Sequence, residues 1–241
     1  VNIEENGDRK PINYILPPGV SRSVSPSQAQ AIRQNEQALS LRIKRLAPGD
    51  ARAVYKNTGL DLRRYKRIEL FVHAEELPEE GTPTGNGEMT AFLRLGSDYT
   101  NNYYEYSVPL ELTPFGTYSD NVKDREIVWP KDNKVDFRFD LLTGLKMRRN
   151  AAQANGETDL YTPYSVPDAE RPRNTITVMG NPSLSNVKTI MIGVRNSAGQ
   201  IKSAEIWVNE LRLSEYQEQG GWATNADLQV QLSDLGSFNA R

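Results

Sequence analysis

The sequence contains no cysteine and only one histidine, His73, among its 241 residues. Without cysteine the chain can form no disulfide bond, no catalytic thiolate and no cysteine-ligated zinc or iron–sulfur centre. A single histidine leaves a transition-metal site without a second imidazole, and nothing in the sequence marks convergent partners for a catalytic triad. We therefore expect His73 to be an ordinary strand residue, and we predict no catalytic residue and no enzyme activity.

The chain also lacks a charge bias and a long apolar run. Its 29 basic and 31 acidic residues give a net charge of −2, which provides no general attraction for nucleic acid. No stretch of about 18 apolar residues occurs, so no transmembrane helix is predicted. No secretory signal peptide is recognisable after Val1, and we expect the chain to be a piece of a longer polypeptide.

What the sequence does contain is a repeated strand signal, which is clearest near the C-terminal end. Val187–Arg195 places apolar residues at every second position, and Ala204–Leu213 is rich in β-branched and aromatic side chains. Asn196–Gly199 predicts a turn between them. Because successive side chains of a strand point to opposite faces, this pair must lay one face on a core. The predicted fold class is therefore mainly β.

Similar signals recur along the chain and predict about eight to ten strands, which is typical of a jelly-roll β-sandwich over 40–215. Phe137–Asn155 loses the period of two and favours one helix. Residues 81–87 and 155–174 predict long loops. The predicted strands are Leu39–Leu46, Asp50–Tyr55, Tyr65–Glu75, Met89–Leu95, Tyr103–Leu110, Glu126–Trp129, Thr175–Met179 and the pair above. The predicted core face of the Tyr65–Glu75 strand is Ile68, Leu70, Val72 and Ala74.

Residues 1–39 predict an N-terminal arm that is extended and then briefly helical. Its prolines forbid a long helix, although Ser27–Ala38 could form a few helical turns. Tyr14, Ile15 and Leu16 are unusually apolar for a proline-rich segment, so we expect them to pack on the following domain or on a partner. These three side chains are our first candidate interaction residues.

The last predicted unit, 216–241, is a linker followed by a strand. Apolar and polar residues alternate from Trp222 to Leu232, with an aromatic residue at one end. This pattern fits an ordinary half-buried edge strand, and it also fits a transmembrane β-strand with one face toward lipid. Trp222 is a candidate interaction residue in either case. A single such strand cannot form a barrel, so the rest of a barrel would lie outside this chain.

A tyrosine cluster provides another candidate surface. On a strand, Tyr104 and Tyr106 share one face and Tyr103 lies on the other, so the three rings cannot form one stacking platform. We expect one face to pack in the core and the other to contact protein. Tyr104 is therefore included among the candidate interaction residues.

Carboxylates are numerous, but no pair is marked by its spacing as the acid and base of a glycosidase. On the last strand Glu205 and Asn209 share a face, whereas Glu210 lies on the other. A structural Ca²⁺ held by backbone carbonyls with Glu210 or Asp140 is one interpretation, and solvated or helix-capping carboxylates are the other. No other cofactor is predicted.

The order of four segments resembles jelly rolls related to carbohydrate-binding modules. These segments are Asp61–Val72, Val135–Leu141, Leu184–Ile192 and Glu205–Leu213. In that family the last strand carries an acidic pair where this chain has Asn209-Glu210. The resemblance implies a jelly roll, and the departure weakens a calcium or glycan role carried over from it.

A more specific resemblance runs along essentially the whole chain. Ile12–Val20, Gln34–Leu41, Gly49–Thr58, Tyr65–Glu75 and Trp207–Leu213 are similar to the SprA (Sov) family of very large cell-surface proteins in the type IX secretion system of Bacteroidetes. The distinctive phrases are Asn-Tyr-Ile-Leu-Pro-Pro-Gly and Gly-Asp-Ala-Arg-Ala-Val-Tyr-Lys-Asn-Thr.

This resemblance implies a non-catalytic structural and interaction domain of an outer-membrane translocon, which passes folded cargo and also serves gliding motility. The implied partners are neighbouring domains of the same protein, other secretion-system subunits and, transiently, the secreted cargo. The domain itself is expected in the aqueous phase, next to a barrel that Trp222–Leu232 would begin. Two alternatives stay open: a glycan-binding module of a surface enzyme, using exposed rings such as Tyr104 or Trp129, and a catalytic β-sandwich of the lyase or hydrolase type.

Overall fold

The computed structural model describes residues 1–21, 37–216, 228–232 and 236–240. Thirteen strands and two α-helices occur in this part of the chain. The strands are β1 Asn2–Glu4, β2 Ala38–Leu46, β3 Ala51–Leu60, β4 Arg67–Glu76, β5 Met89–Gly96, β6 Tyr103–Pro109, β7 Val135–Arg138, β8 Tyr164–Pro167, β9 Thr175–Met179, β10 Val187–Asn196, β11 Lys202–Ser214, β12 Leu228–Leu232 and β13 Gly236–Ala240. The α-helices are α1 Val122–Val128 and α2 Phe139–Ala154, and short 3-10 turns occupy Pro78–Glu80 and Lys131–Asn133.

Two antiparallel sheets form a sandwich. The five-stranded sheet has the order β1-β2-β11-β4-β7, and the six-stranded sheet has the order β3-β10-β5-β6-β9-β8. Strands β2 to β5 alternate between the two sheets along the chain, and so do β10 and β11. This is the arrangement of an eight-stranded jelly roll with additional edge strands. The predicted mainly β, jelly-roll-type sandwich is confirmed. The remaining strands, β12 and β13, pair with each other.

The main core lies between the sheets and is built from the alternation visible in the sequence. On β4 the predicted core residues Ile68, Leu70, Val72 and Ala74 are all at most 2% exposed. Helix α2 closes one end of this core with side chains spaced three residues apart along one helix face. These α2 side chains are Phe139, Leu142 and Leu145.

The expectation of a single helix is corrected, because Glu126–Trp129 is not a strand. Most of that segment belongs to α1, whose N-cap Asn121 accepts a hydrogen bond from the Asp124 amide at 3.0 Å. Asp124 accepts another from the Ser119 amide at 2.7 Å. These side-chain acceptors satisfy amides at the start of the helix and outweigh the β preference of Ile127 and Val128.

Other strand boundaries also differ from the prediction. Strand β3 continues past Tyr55 because β10 offers backbone partners as far as the Val187–Leu60 pair. Strand β8 lies within the predicted loop 155–174 and pairs with β9. The predicted helical turns of Ser27–Ala38 lie mostly outside the described residues. Among the described residues, no helix has the length and apolar character that a membrane crossing requires.

The start of the N-terminal arm is joined to the sandwich by backbone hydrogen bonds. Strand β1 pairs antiparallel with β2, so that Ile3 lies opposite Leu39 at the edge of the five-stranded sheet. Beyond β1, most buried residues of the arm pack in a second core with Trp207 of β11 and with Val128 and Trp129 at the end of α1. The arm is therefore an added layer of the sandwich, and it positions the first candidate site.

Candidate interaction sites

The arm core is a second hydrophobic cluster, separate from the main core. Its buried members are Ile12, Tyr14, Ile15, Leu16, Ala38, Val128, Trp129 and Trp207. The Tyr14 ring lies edge-on to Trp129, with centroids 6.2 Å apart, and tilted to Trp207 at 5.9 Å. The indole N–H of Trp129 donates to the Ile15 carbonyl at 2.9 Å. The arm side chains thus cover aromatic surface on the outer face of the five-stranded sheet.

This placement bears directly on three of the candidate interaction residues. Tyr14, Ile15 and Leu16 are 4%, 6% and 5% exposed. They pack on the following domain, which is one of the two partners that the sequence left open. Because their surface is already buried inside this chain, they do not form an exposed apolar patch.

A charge cluster fixes the arm beside the aromatic rings. Arg9 donates to both carboxylate oxygens of Glu75, and its Nη2 and Nε lie 3.0 Å from Glu205 and 3.1 Å from Glu4. Glu75 and Glu205 are almost fully buried, at 0% and 4% exposure. Burying a carboxylate is costly unless a cation with matching donors meets it, and the planar guanidinium fork supplies them. Arg9 therefore links the arm to β4 and β11.

The pKa shifts of Glu75 and Arg9 agree with a persistent ion pair between them. Burial alone would raise the pKa of Glu75, but the neighbouring His73 and Arg9 outweigh burial and lower it. Burial opposes the charge on Arg9 as well, yet Glu75, Glu205 and Glu4 raise its pKa. Both partners are consequently charged at neutral pH, and the pair acts as a structural contact.

His73 lies on the outer face of β4 beside Phe71 and Glu75, as predicted, and the arm core buries it completely. Its Nδ1 lies 2.7 Å from the Val128 carbonyl, so Nδ1 carries the proton because a carbonyl only accepts. The ring stacks on Trp207 with centroids 3.9 Å apart. The Nε2 atom is buried and lies 3.6 Å from Glu75 Oε2, which is beyond hydrogen-bond distance.

The basic groove is the second candidate site. It has a volume of about 740 Å³ and runs along α2 from Phe139 to Asn150, beside the β3–β4 connection and the loop before β10. Its floor consists of the buried side chains of Leu62, Tyr104, Phe139 and Leu184. Its basic residues are Arg63, Lys66, Arg138 and Lys146.

The third candidate is the outer face of the six-stranded sheet. Phe92 and Tyr103 lie there, and the Arg94 guanidinium covers them at 5.2 Å and 4.1 Å from their ring centroids. Glu105 accepts from both Arg94 and Arg195. A Cβ atom at Gly193 would come within 2.3 Å of the Phe92 ring, so glycine is needed for the ring to lie flat on the sheet. These two rings are therefore covered by cations.

The rings proposed for glycan stacking are not accessible. Tyr104 and Trp129 are each 2% exposed, because Tyr104 lies in the main core and Trp129 in the arm core. Tyr106 shares the core face with Tyr104, and Tyr103 lies on the opposite face, as predicted. The fifth candidate interaction residue, Trp222, lies outside the described residues.

The carboxylates proposed for Ca²⁺ each lie beside a cation. Asp140 lies 3.1 Å from Arg138, and Glu210 lies 2.6 Å from Arg212. Within the described ranges, no group of three or more His, Asp or Glu side chains is placed to hold a metal ion. The interpretation of a structural Ca²⁺ held by backbone carbonyls with Glu210 or Asp140 stays a prediction.

Fold and sites together define an antiparallel jelly-roll domain in which the buried ionisable groups of the arm core serve internal contacts. The chain belongs to the SprA_N family, described as motility related/secretion protein, whose match covers residues 1–241. The family resemblance seen in the sequence is thereby confirmed, and the protein is related to motility and secretion. No curated protein matches the chain.

Proposed function

We propose that this chain is a non-catalytic structural and interaction domain of an outer-membrane translocon that secretes proteins by the type IX route. The family match supports a role in secretion and motility, which are activities of the cell envelope. The observation that carries the proposal is the arm core. Beside it, Glu75 and Glu205 are buried and hold the arm through Arg9. His73 is enclosed next to them, so these groups do not line an open cleft where a substrate could meet them.

In this proposal the domain acts through shape and contact. The Arg9 ion pairs and the aromatic rings keep the arm in one place, so the sandwich can act as a rigid spacer beside a secretion channel. Neighbouring domains, other secretion subunits and, transiently, the cargo would contact its exposed surfaces. The membrane would be contacted by adjoining parts of the protein rather than by the sandwich.

The test uses the complete protein in a bacterium that depends on this secretion route. A photo-crosslinking amino acid replaces Met147 or Tyr55, which are 68% and 55% exposed. We expect crosslinks to other subunits of the secretion machinery from at least one position. The same variants kept without irradiation are the matched control and should capture nothing. If neither exposed position captures an envelope protein while secretion continues, the interaction role is wrong.

One observation favours the glycan-binding alternative, namely an exposed tyrosine pair. Tyr55 and Tyr99 are 55% and 38% exposed, and their ring centroids lie 5.1 Å apart. Exposed rings of this kind can stack on sugars. A polysaccharide screen with the Tyr55→Ala and Tyr161→Ala variants separates the two functions, because only a glycan module should lose binding through Tyr55.

A further inference from the structure

The basic groove beside α2 has an unbalanced charge. Arg63 and Arg138 are already neutralised by carboxylates of this chain, Asp61 at 2.6 Å and Asp140 at 3.1 Å. Lys66 has no carboxylate partner among the described residues, and the only partner of Lys146 there is the Pro182 carbonyl, which accepts from Nζ at 2.8 Å. Two ammonium groups are thus available for an anion in a chain whose net charge is −2.

The floor between these cations is apolar. The side chains of Leu62, Phe139 and Leu184 line it, and the Tyr104 hydroxyl is used internally, donating to the Pro182 carbonyl at 3.3 Å. A volume of about 740 Å³ is within the range of ligand sites, which combine apolar walls with a few polar groups. The ligand that fits therefore carries both apolar side chains and negative charge.

We propose that the basic groove binds an acidic peptide segment of another protein, through ion pairs with Lys66 and Lys146 and apolar contact with the groove floor. This goes beyond the proposed function, because an architectural role does not require the groove to be occupied. The two arginines of the groove are already paired with carboxylates of this chain, so the two lysines are the cations left for the ligand.

Other features favour a peptide over an anionic polysaccharide. None of the aromatic residues lining the groove is fully exposed: Tyr104 and Phe139 are buried, and Tyr65 is half-buried beside the Tyr216 ring, with centroids 5.4 Å apart. The first turn of α2 also lines the groove, and the positive end of a helix dipole favours carboxylates. Burial, with a smaller contribution from Arg149, lowers the pKa of Lys146, so a bound carboxylate would stabilise its charged form.

The test measures binding of a fluorescein-labelled Glu-Leu-Glu-Phe-Glu-Leu peptide to the purified complete protein. We expect the Lys66→Glu/Lys146→Glu variant to bind about tenfold more weakly, since two ion pairs are replaced by repulsion. Raising the salt concentration should weaken binding to the unchanged protein. The exposed Lys56, on β3 and outside the lining of the groove, provides the matched control Lys56→Glu, which should bind normally.

The Lys66→Gln/Lys146→Gln variant is a control for misfolding. Its melting temperature should be unchanged, and it should also bind the acidic peptide more weakly than the unchanged protein. Equal binding of the uncharged Gln-Leu-Gln-Phe-Gln-Leu peptide would overturn the proposal. So would tighter binding of polygalacturonate than of the acidic peptide. These results would leave the crosslinking test at Tyr55 unaffected, because Tyr55 lies outside the groove.

Discussion

The main core and the arm core are stabilised by different kinds of interaction. Between the sheets, nearly all buried side chains are apolar and come from strands that alternate regularly. In the arm core, Trp207 and Tyr14 lie beside the half-buried Arg9 and the buried groups Glu75 and His73. The first core depends on apolar area and close packing, whereas the second also depends on every charge having its partner.

This difference affects how each core responds to change. Hydrophobic burial is non-directional, so loss of one side chain costs in proportion to the area and cavity involved. A buried ion pair is directional, and loss of one member leaves the other desolvated and unpaired. The arm core should therefore be sensitive to single charge changes and to pH, while the main core should respond mainly to size.

The largest effect is expected from Arg9→Met, which leaves Glu75 and Glu205 buried without their cation. The free energy of unfolding should fall by about 3–5 kcal/mol. Tryptophan fluorescence during urea unfolding measures this free energy. The Trp222→Phe background leaves only Trp129 and Trp207 as reporters, and both lie in the arm core. Adding Glu75→Gln and Glu205→Gln should recover most of the loss. If the triple variant is no more stable than Arg9→Met, unpaired charge is not the cause.

A change confined to the main core should cost slightly less. Leu93→Ala removes a side chain that is 1% exposed and should lower the free energy of unfolding by about 3 kcal/mol. Circular dichroism of the sheets during urea unfolding reports the loss. The difference from the unchanged protein should be the same at acidic and neutral pH, and a strong pH dependence would contradict the contrast between the two cores.

The pH dependence of the arm core follows from the lowered pKa of Glu75. Because its folded-state pKa lies below the ordinary value of 4.5, the carboxylate stabilises the fold above that pH. This stabilisation is lost as the pH falls below 4.5 and passes through the folded-state pKa. Glu75→Gln should therefore flatten the acid limb of the stability curve. If the stability of the Glu75→Gln variant and of the unchanged protein falls with the same slope at acidic pH, Glu75 does not contribute to the pH dependence.

The smallest effect is expected from Tyr14→Phe. This change removes the hydroxyl that accepts from Asn209 Nδ2 at 2.9 Å and leaves a buried amide without that acceptor. The free energy of unfolding should fall by about 1 kcal/mol, measured by tryptophan fluorescence. Tyr161→Phe, at a side chain that is 61% exposed, is the control and should change stability by less than about 0.5 kcal/mol.

Much of the sandwich could be predicted because a period of two is a local property. The core face of β4 and the positions of strands β10 and β11 follow from it directly, although the period does not show that these two strands lie in different sheets. Helix α1 was missed because it depends on the Asn121 cap, and its last two residues, Ile127 and Val128, are apolar and resemble a strand end. The basic groove was not predicted either, although the basic run Arg63–Arg67 was visible in the sequence.

Local pattern was sufficient to specify the mainly β class, the face of each regular strand and the family to which the chain belongs. Only folding in three dimensions decided where the arm lies, since Arg9 and Glu75 are 66 residues apart along the chain. A contact between residues so far apart in the sequence leaves no repeating pattern in it. Such a contact depends on which sheet face is still uncovered once the strands have paired. The apolar cluster of the arm indicated burial, and the outer surface of β4 and β11 determined its site.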